Sequence, residues 1–131
     1  MGVFRRQWPG VSYGRGEAWH YVGDVGEPAF DSTLVNAGTG YPKLAFRIRE
    51  GGIVDIEGVL AGSLTSGGSI FVLPEAYRPT SVAYIPIVTD DGPGWIAVGT
   101  PGNVNASTYA GNTITSAVIA GQLFLDPPAI A

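Results

Sequence analysis

Two adjacent carboxylates, Asp90 and Asp91, precede Gly92-Pro93-Gly94 and the tryptophan Trp95. A stiff glycine–proline turn that sets carboxylates beside an aromatic ring suits a saccharide. The ring stacks on the apolar face of the sugar, and the oxygens accept hydrogen bonds from its hydroxyls. Downstream, Asn103, Asn105 and Tyr109 add amide and hydroxyl partners on neighbouring loops or strands. Asp90, Asp91, Trp95, Asn105 and Tyr109 are the candidate ligand-binding set. The plain structural alternative is a tight turn followed by a core tryptophan.

Catalytic chemistry has little to work with. The chain has no cysteine and one histidine, His20, so thiol chemistry is absent and a triad or His-rich metal site would depend on that single residue. His20 sits between Trp19 and Tyr21 and reads as a packed or rim side chain. Asp55 and Glu57, two apart on a strand, point to the same side. Lys43, Arg47 and Arg49 lie on the facing strand, so cross-strand ion pairs account for the two carboxylates. A glycosidase needs a separated pair in a cleft. Asp90-Asp91-Gly92 is too short for a calcium loop. Gly14 and Gly16 lack the strand–helix setting of a phosphate loop. Asn105-Ala106-Ser107 fits the pattern of a glycosylation acceptor. The expectation is a protein that is not an enzyme, with no cofactor and no metal.

Charge is unevenly placed. The net charge is −4, which argues against nucleic acid as a partner. Arg5, Arg6 and Arg15 are the only charges among the first fifteen residues, and no basic residue follows Arg78. Residues 1–16 thus read as a basic attachment arm, with Arg5, Arg6, Trp8 and Pro9 as docking residues and Trp8 as the hydrophobic anchor. A solvated tail is the alternative. Met1–Arg6 carries no apolar signal-peptide core, and no apolar run approaches the roughly 20 residues of a membrane span.

The elements that must position these residues read as strands. Glycine (20) and proline (10) punctuate a chain that is 45% hydrophobic, and no long window holds a helical period. Lys43–Arg49 alternates, with Leu44, Phe46 and Ile48 on one side. Glu50-Gly51-Gly52 is a turn signal, and Ile53–Leu60 alternates again, which makes this the clearest hairpin. Further strands are expected at Glu17–Val22, Ser69–Leu73, Thr80–Thr89, Trp95–Thr100, Val104–Tyr109, Thr113–Ile119 and Gln122–Leu125. Pro86 should confine the second half of Thr80–Thr89 to an edge or bulge. Short strands at this spacing, without a crossover helix, imply an antiparallel all-β sandwich or barrel over residues 17–131. Thr113–Ile119 and Asn103–Tyr109 have small, uncharged residues on both sides. They suit either a solvated edge or a subunit interface.

Residues 49–79 read REGGIVDIEGVLAGSLTSGGSIFVLPEAYRP. Gly52, Val54, Ile56 and Gly58, followed by Phe71, Leu73, Pro74, Tyr77, Arg78 and Pro79, resemble the signature of the receptor-binding head domain of bacteriophage tail-fibre and minor tail proteins, of the type found in phages of Gram-positive hosts. Trp19, Pro28-Ala29-Phe30 and Asn36 upstream, and Gly121–Phe124 downstream, extend the resemblance over about residues 17–126. Leu34 stands near the family's second aromatic, and Ala76 replaces the usual glycine before the tyrosine. Pro74, Tyr77, Arg78 and Pro79 form the structural signature. Pro79 forces Arg78 to be extended, Tyr77 closes a corner, and Arg78 pairs with a carboxylate or with carbonyls.

The resemblance implies a jelly-roll-like β-sandwich or barrel, a homotrimer, and binding of host cell-wall polysaccharide. It implies a virion structural protein on the virion surface, made in the host cytoplasm. The alternative is a capsid decoration, head-fibre or tail-tip adaptor protein docked on another virion protein through its N-terminal arm. Fibre heads usually follow a long shaft, whereas here the first strand lies close to Met1. Neither nucleic acid nor membrane is expected as a partner.

Overall fold

The computed structural model describes residues 17–125. Nine strands run through them: β1 (His20–Tyr21), β2 (Val35–Asn36), β3 (Ala45–Arg49), β4 (Ile53–Thr65), β5 (Gly68–Val72), β6 (Ala83–Thr89), β7 (Gly92–Val98), β8 (Asn103–Thr108) and β9 (Thr113–Phe124). The only helical element among the described residues is one 3₁₀ turn, Glu75–Tyr77. Every strand pairing is antiparallel.

The strands make one sheet in the order β1-β3-β4-β9-β6-β7-β8-β5, with β2 also on β4. The sheet curls into a half-barrel. Its two ends meet across the core, where Phe46 of β3 stacks on Phe71 of β5 with ring centroids 5.8 Å apart. Residues 31–36 bridge the gap between β5 and β4. The Asp31 amide donates to the Ile70 carbonyl at 2.7 Å, the Thr33 hydroxyl donates to the Ser63 carbonyl at 2.9 Å, and β2 then pairs with Ala61 and Leu60.

Alternation explains most of the core. Val54, Ile56 and Leu60 of β4, Ile85 and Ile87 of β6, Ile96 and Val98 of β7, Val104 and Ala106 of β8, and Ile119 and Leu123 of β9 all point inward. Each large aliphatic side chain so buried contributes roughly 1.5–3 kcal/mol. The hairpin closes as Arg49 opposite Ile53, with Phe46 facing Ile56 and Arg47 facing Asp55. In β5 the register shifts between Ser69 and Phe71, so the consecutive residues Ile70 and Phe71 are both buried.

Several strand bounds differ from the sequence expectation. The Glu17–Val22 strand shrinks to His20–Tyr21, and β6 begins only at Ala83. Thr113–Ile119 and Gln122–Leu125 are one strand, β9, running through Gly121. That glycine lies under Ile85, where a Cβ would collide with the Ile85 side chain, so it serves close packing and not a turn. Pro86 faces Trp95 within the β6–β7 ladder but lies outside the β6–β9 ladder, which holds only Val88 and Thr89. The missing N–H therefore interrupts no pairing with β9.

Candidate functional site

The signature residues build one corner. Pro74 precedes the 3₁₀ turn in an extended conformation, and Arg78 ends it extended at φ −90°, ψ 134°, as the following proline demands. Of the two kinds of partner expected for Arg78, a carbonyl is the one observed. Its Nε donates to the Leu73 carbonyl at 2.9 Å. The Leu73 amide donates to the Gly102 carbonyl at 2.8 Å. Gly102 has φ +97°, and a Cβ there would lie 2.5 Å from Arg78 Nε and 2.6 Å from the Leu73 oxygen. Ala76 sits inside the 3₁₀ turn, a right-handed conformation that alanine adopts without strain. Pro79 is buried.

Tyr77 meets the histidine. Its hydroxyl is 3.0 Å from His20 Nε2, and its ring stands edge-on to Phe46 at 5.0 Å. His20 stacks on the other side of this cluster, 5.3 Å from Phe46. Glu17 lies 3.1 Å from Nε2 and Glu27 2.9 Å from Nδ1. The hydrogen bond to Glu27 leads the influences that raise the His20 pKa above 6.5, aided by Glu17 and opposed by burial. Burial, then the hydrogen bond to Glu17, push the Tyr77 hydroxyl well above its ordinary value. For Glu17, burial works upward, but hydrogen bonds from Tyr77, the Ile48 amide and His20 outweigh it and lower the pKa. No sequence motif joins these residues. The alternation that turns His20 and Phe46 toward each other was the available signal.

The candidate saccharide residues divide into two groups. Trp95 lies on β7 opposite Pro86 and Ser107. Tyr109 follows β8, and its ring lies 4.9 Å from that of Trp95, tilted by 60°. Tyr84, Pro86, Gly94, Trp95 and Tyr109 line a depression of about 530 Å³ on the outer face of the sheet. Tyr84 is 67% exposed and Tyr109 79%. Asn105 lies on the same outward side of β8, where its Oδ1 accepts from Asn103 Nδ2 at 3.2 Å. Trp95 is thus neither buried in the core nor free in a turn. It is half-buried on the outside.

Asp90 and Asp91 are the two loop residues of the β6–β7 hairpin, which closes at Thr89 and Gly92. They do not line the aromatic depression. Asp90 Oδ1 accepts from the amides of Thr115 (2.8 Å) and Ser116 (2.9 Å), and Oδ2 accepts from the Thr115 hydroxyl. These donors, the Thr115 hydroxyl foremost, hold its pKa down at about 2. Asp91 Oδ2 accepts from the Thr108 hydroxyl (2.6 Å) and the Asn112 amide (3.0 Å), and Oδ1 from Asn112 Nδ2 (3.2 Å). Its pKa is likewise lowered, first by Thr108. The two carboxylates pin the hairpin loop to the start of β9 and to the β8–β9 loop.

The basic and acidic residues of the β3–β4 hairpin pair as expected for Asp55. Arg47 Nε and Arg49 Nε donate to its Oδ2 at 3.2 Å and 2.7 Å. Arg49 also reaches Gln122, and the Arg47 guanidinium lies 4.4 Å from the centre of the Trp19 ring. Lys43 pairs with Asp24. Glu57 faces Ala45 and has no ion-pair partner among the described residues.

A second, largely aliphatic patch lies over β4, β9 and β6, with Asp90 among the residues that line it. Ala37, Tyr41, Val59, Ala61, Val88 and Val118 take part in lining a depression of about 480 Å³. Val88 and Val118 are directly paired and are 68% and 49% exposed. In β9, Ile114, Ala117 and Ile119 enter the core, so Thr113, Thr115 and Val118 make its exposed side.

Among the described residues no three His, Asp or Glu side chains converge as a metal-binding group, and no helix is long and apolar enough to cross a membrane. Arg5, Arg6, Trp8 and Pro9 lie outside the described residues. Comparison of the sequence with protein-family models and with curated proteins gave no match.

Proposed function

We propose that the chain is a virion structural protein, a tail-fibre-like head domain of jelly-roll type that assembles as a homotrimer and binds host cell-surface saccharide. The observation that carries this reading is the outward Trp95–Tyr109 pair, with Tyr84 and Pro86 completing an aromatic floor on rigid strands. Large aromatic rings held half-exposed on a sheet are apolar surface that the fold has not buried, and a pyranose ring covers such surface with its C–H face. Ser107, paired with Trp95, and Asn105, two residues before it, face outward on the adjoining strand, just outside the lining of the depression. The resemblance in residues 49–79 supports the same reading, because each signature residue has a structural task at one corner.

Self-association is assigned to the second patch, around Val88 and Val118. Its largely aliphatic character, with Val88 and Val118 exposed side by side, suits an interface between identical copies better than a sugar site. Attachment to another virion protein, in the tail or the capsid, is assigned to the arm at residues 1–16 through Arg5, Arg6, Trp8 and Pro9. A capsid-decoration or tail-tip adaptor role would use the same arm.

The test is binding of purified host cell-wall polysaccharide by the intact chain and by Trp95→Ala. Loss of a stacking aromatic is worth about 1–3 kcal/mol, or roughly fivefold to 150-fold in affinity. The expected result is that loss with little change in melting temperature. Unaltered affinity in the variant removes the site.

A further inference from the structure

The charge pattern around the aromatic floor restricts its ligand further. The outward residues of β6, β7 and β8 include Tyr84, Pro86, Val88, Trp95, Asn105 and Ser107, and none of them carries a charge. The last basic residue in the chain, Arg78, is turned onto the Leu73 carbonyl at the corner. Among the described residues no Lys or Arg side chain lines the depression. The nearest carboxylates in the chain, Asp90 and Asp91, each accept three hydrogen bonds from the protein itself.

We infer that the Trp95–Tyr109 floor takes an uncharged saccharide, a hexose or N-acetylhexosamine unit, and discriminates against phosphate- or uronate-bearing polymers. The inference rests on the saccharide reading of this face and adds the ligand's charge class. Among the described residues an anionic ligand would meet no Lys or Arg side chain in this lining, on a chain of net charge −4. An ammonium sugar would find the aspartate oxygens already occupied. An uncharged ring loses little on leaving water for an aromatic face, and its hydroxyl or acetamido groups can reach amide and hydroxyl partners such as Asn105 and Ser107.

The experiment uses the full chain on immobilised uncharged hexose and N-acetylhexosamine oligosaccharides, with poly(glycerol phosphate) and polygalacturonate as anionic probes. Binding is measured at about 50 mM and about 500 mM NaCl, a range over which screening of exposed charges changes several-fold. The expected result is retention by uncharged probes alone, with affinity changing less than about twofold across that range. Trp95→Ala and the more exposed Tyr109→Ala should each lose it. Retention by an anionic probe that weakens with salt and still needs Trp95 overturns the charge-class inference and leaves the saccharide site standing. Retention by no probe in either class overturns both. Retention that survives both substitutions moves the site elsewhere and overturns both as well.

Discussion

The Tyr77 hydroxyl lies 3.0 Å from His20 Nε2, which joins two residues 57 positions apart. Through this contact the signature corner is tied to the first strand, and Glu17 and Glu27 complete the cluster from either side of the imidazole. The chain end that enters the sheet and the loop at residues 23–27 are thus fastened at one place.

This fastening should depend on pH in two directions. The His20 pKa is raised above 6.5, so its stabilisation is complete below 6.5 and is lost as pH rises through the higher folded value. The Glu17 pKa is lowered below 4.5, so its stabilisation is complete above 4.5 and is lost as pH falls through the lower folded value. The cluster therefore contributes most between pH 4.5 and 6.5. The melting-temperature advantage of the native chain over His20→Gln should peak there, at about 1 kcal/mol or a few degrees. An advantage that grows toward pH 9 would contradict the assignment.

Gly102→Ala should be among the most damaging small substitutions. It combines a left-handed backbone with a Cβ pressed against the Leu73 carbonyl and Arg78. Gly111 has a similar φ of +77° but open space around it. Urea denaturation should show a loss of roughly 2–4 kcal/mol for Gly102→Ala against about 1 kcal/mol for Gly111→Ala. Equal losses would mean that the backbone conformation, and not the packing of Arg78, sets the cost.

Asp90→Ala should lower the melting temperature at pH 7 without weakening saccharide binding, since all three hydrogen bonds of its carboxylate go to Thr115 and Ser116. Its folded pKa of about 2 lies below the ordinary 3.8, so the stabilisation is present above 3.8 and lost as pH falls toward 2. Thermal melts from pH 7 down should show the variant and the native chain converging. A variant that melts normally at pH 7 yet fails to bind saccharide would return Asp90 to the ligand site.

Val88 and Val118 face each other across the β6–β9 ladder on the patch assigned to self-association. Replacing them together, Val88→Lys with Val118→Glu, places opposite charges on one cross-strand pair, so the sheet itself keeps a favourable contact. Burying that pair between copies would cost several kcal/mol. Light scattering should report three-chain particles for the native protein and single chains for the double variant. Trimers that persist in the variant would put the contact on another face.

The chain itself announces its strands wherever the cause is local. The β3–β4 hairpin follows from the alternation in residues 43–60 around Gly51-Gly52, and Trp95 and Tyr109 were legible as a pair of aromatics near a stiff turn. Side-chain facing has a period of two and is written residue by residue. Other features depended on which strands met. Gly121 stands inside β9 because Ile85 fills the space that a side chain would need. Asp90 and Asp91 stand in the sequence as candidate ligand groups, and it is the curl of the sheet that brings Thr108, Asn112, Thr115 and Ser116 to them. His20 and Tyr77 gave no hint of each other. These partners lie tens of residues apart, and their meeting is decided by closure of the whole sheet around Phe46 and Phe71. That closure is a collective packing outcome, and no short stretch of sequence records it.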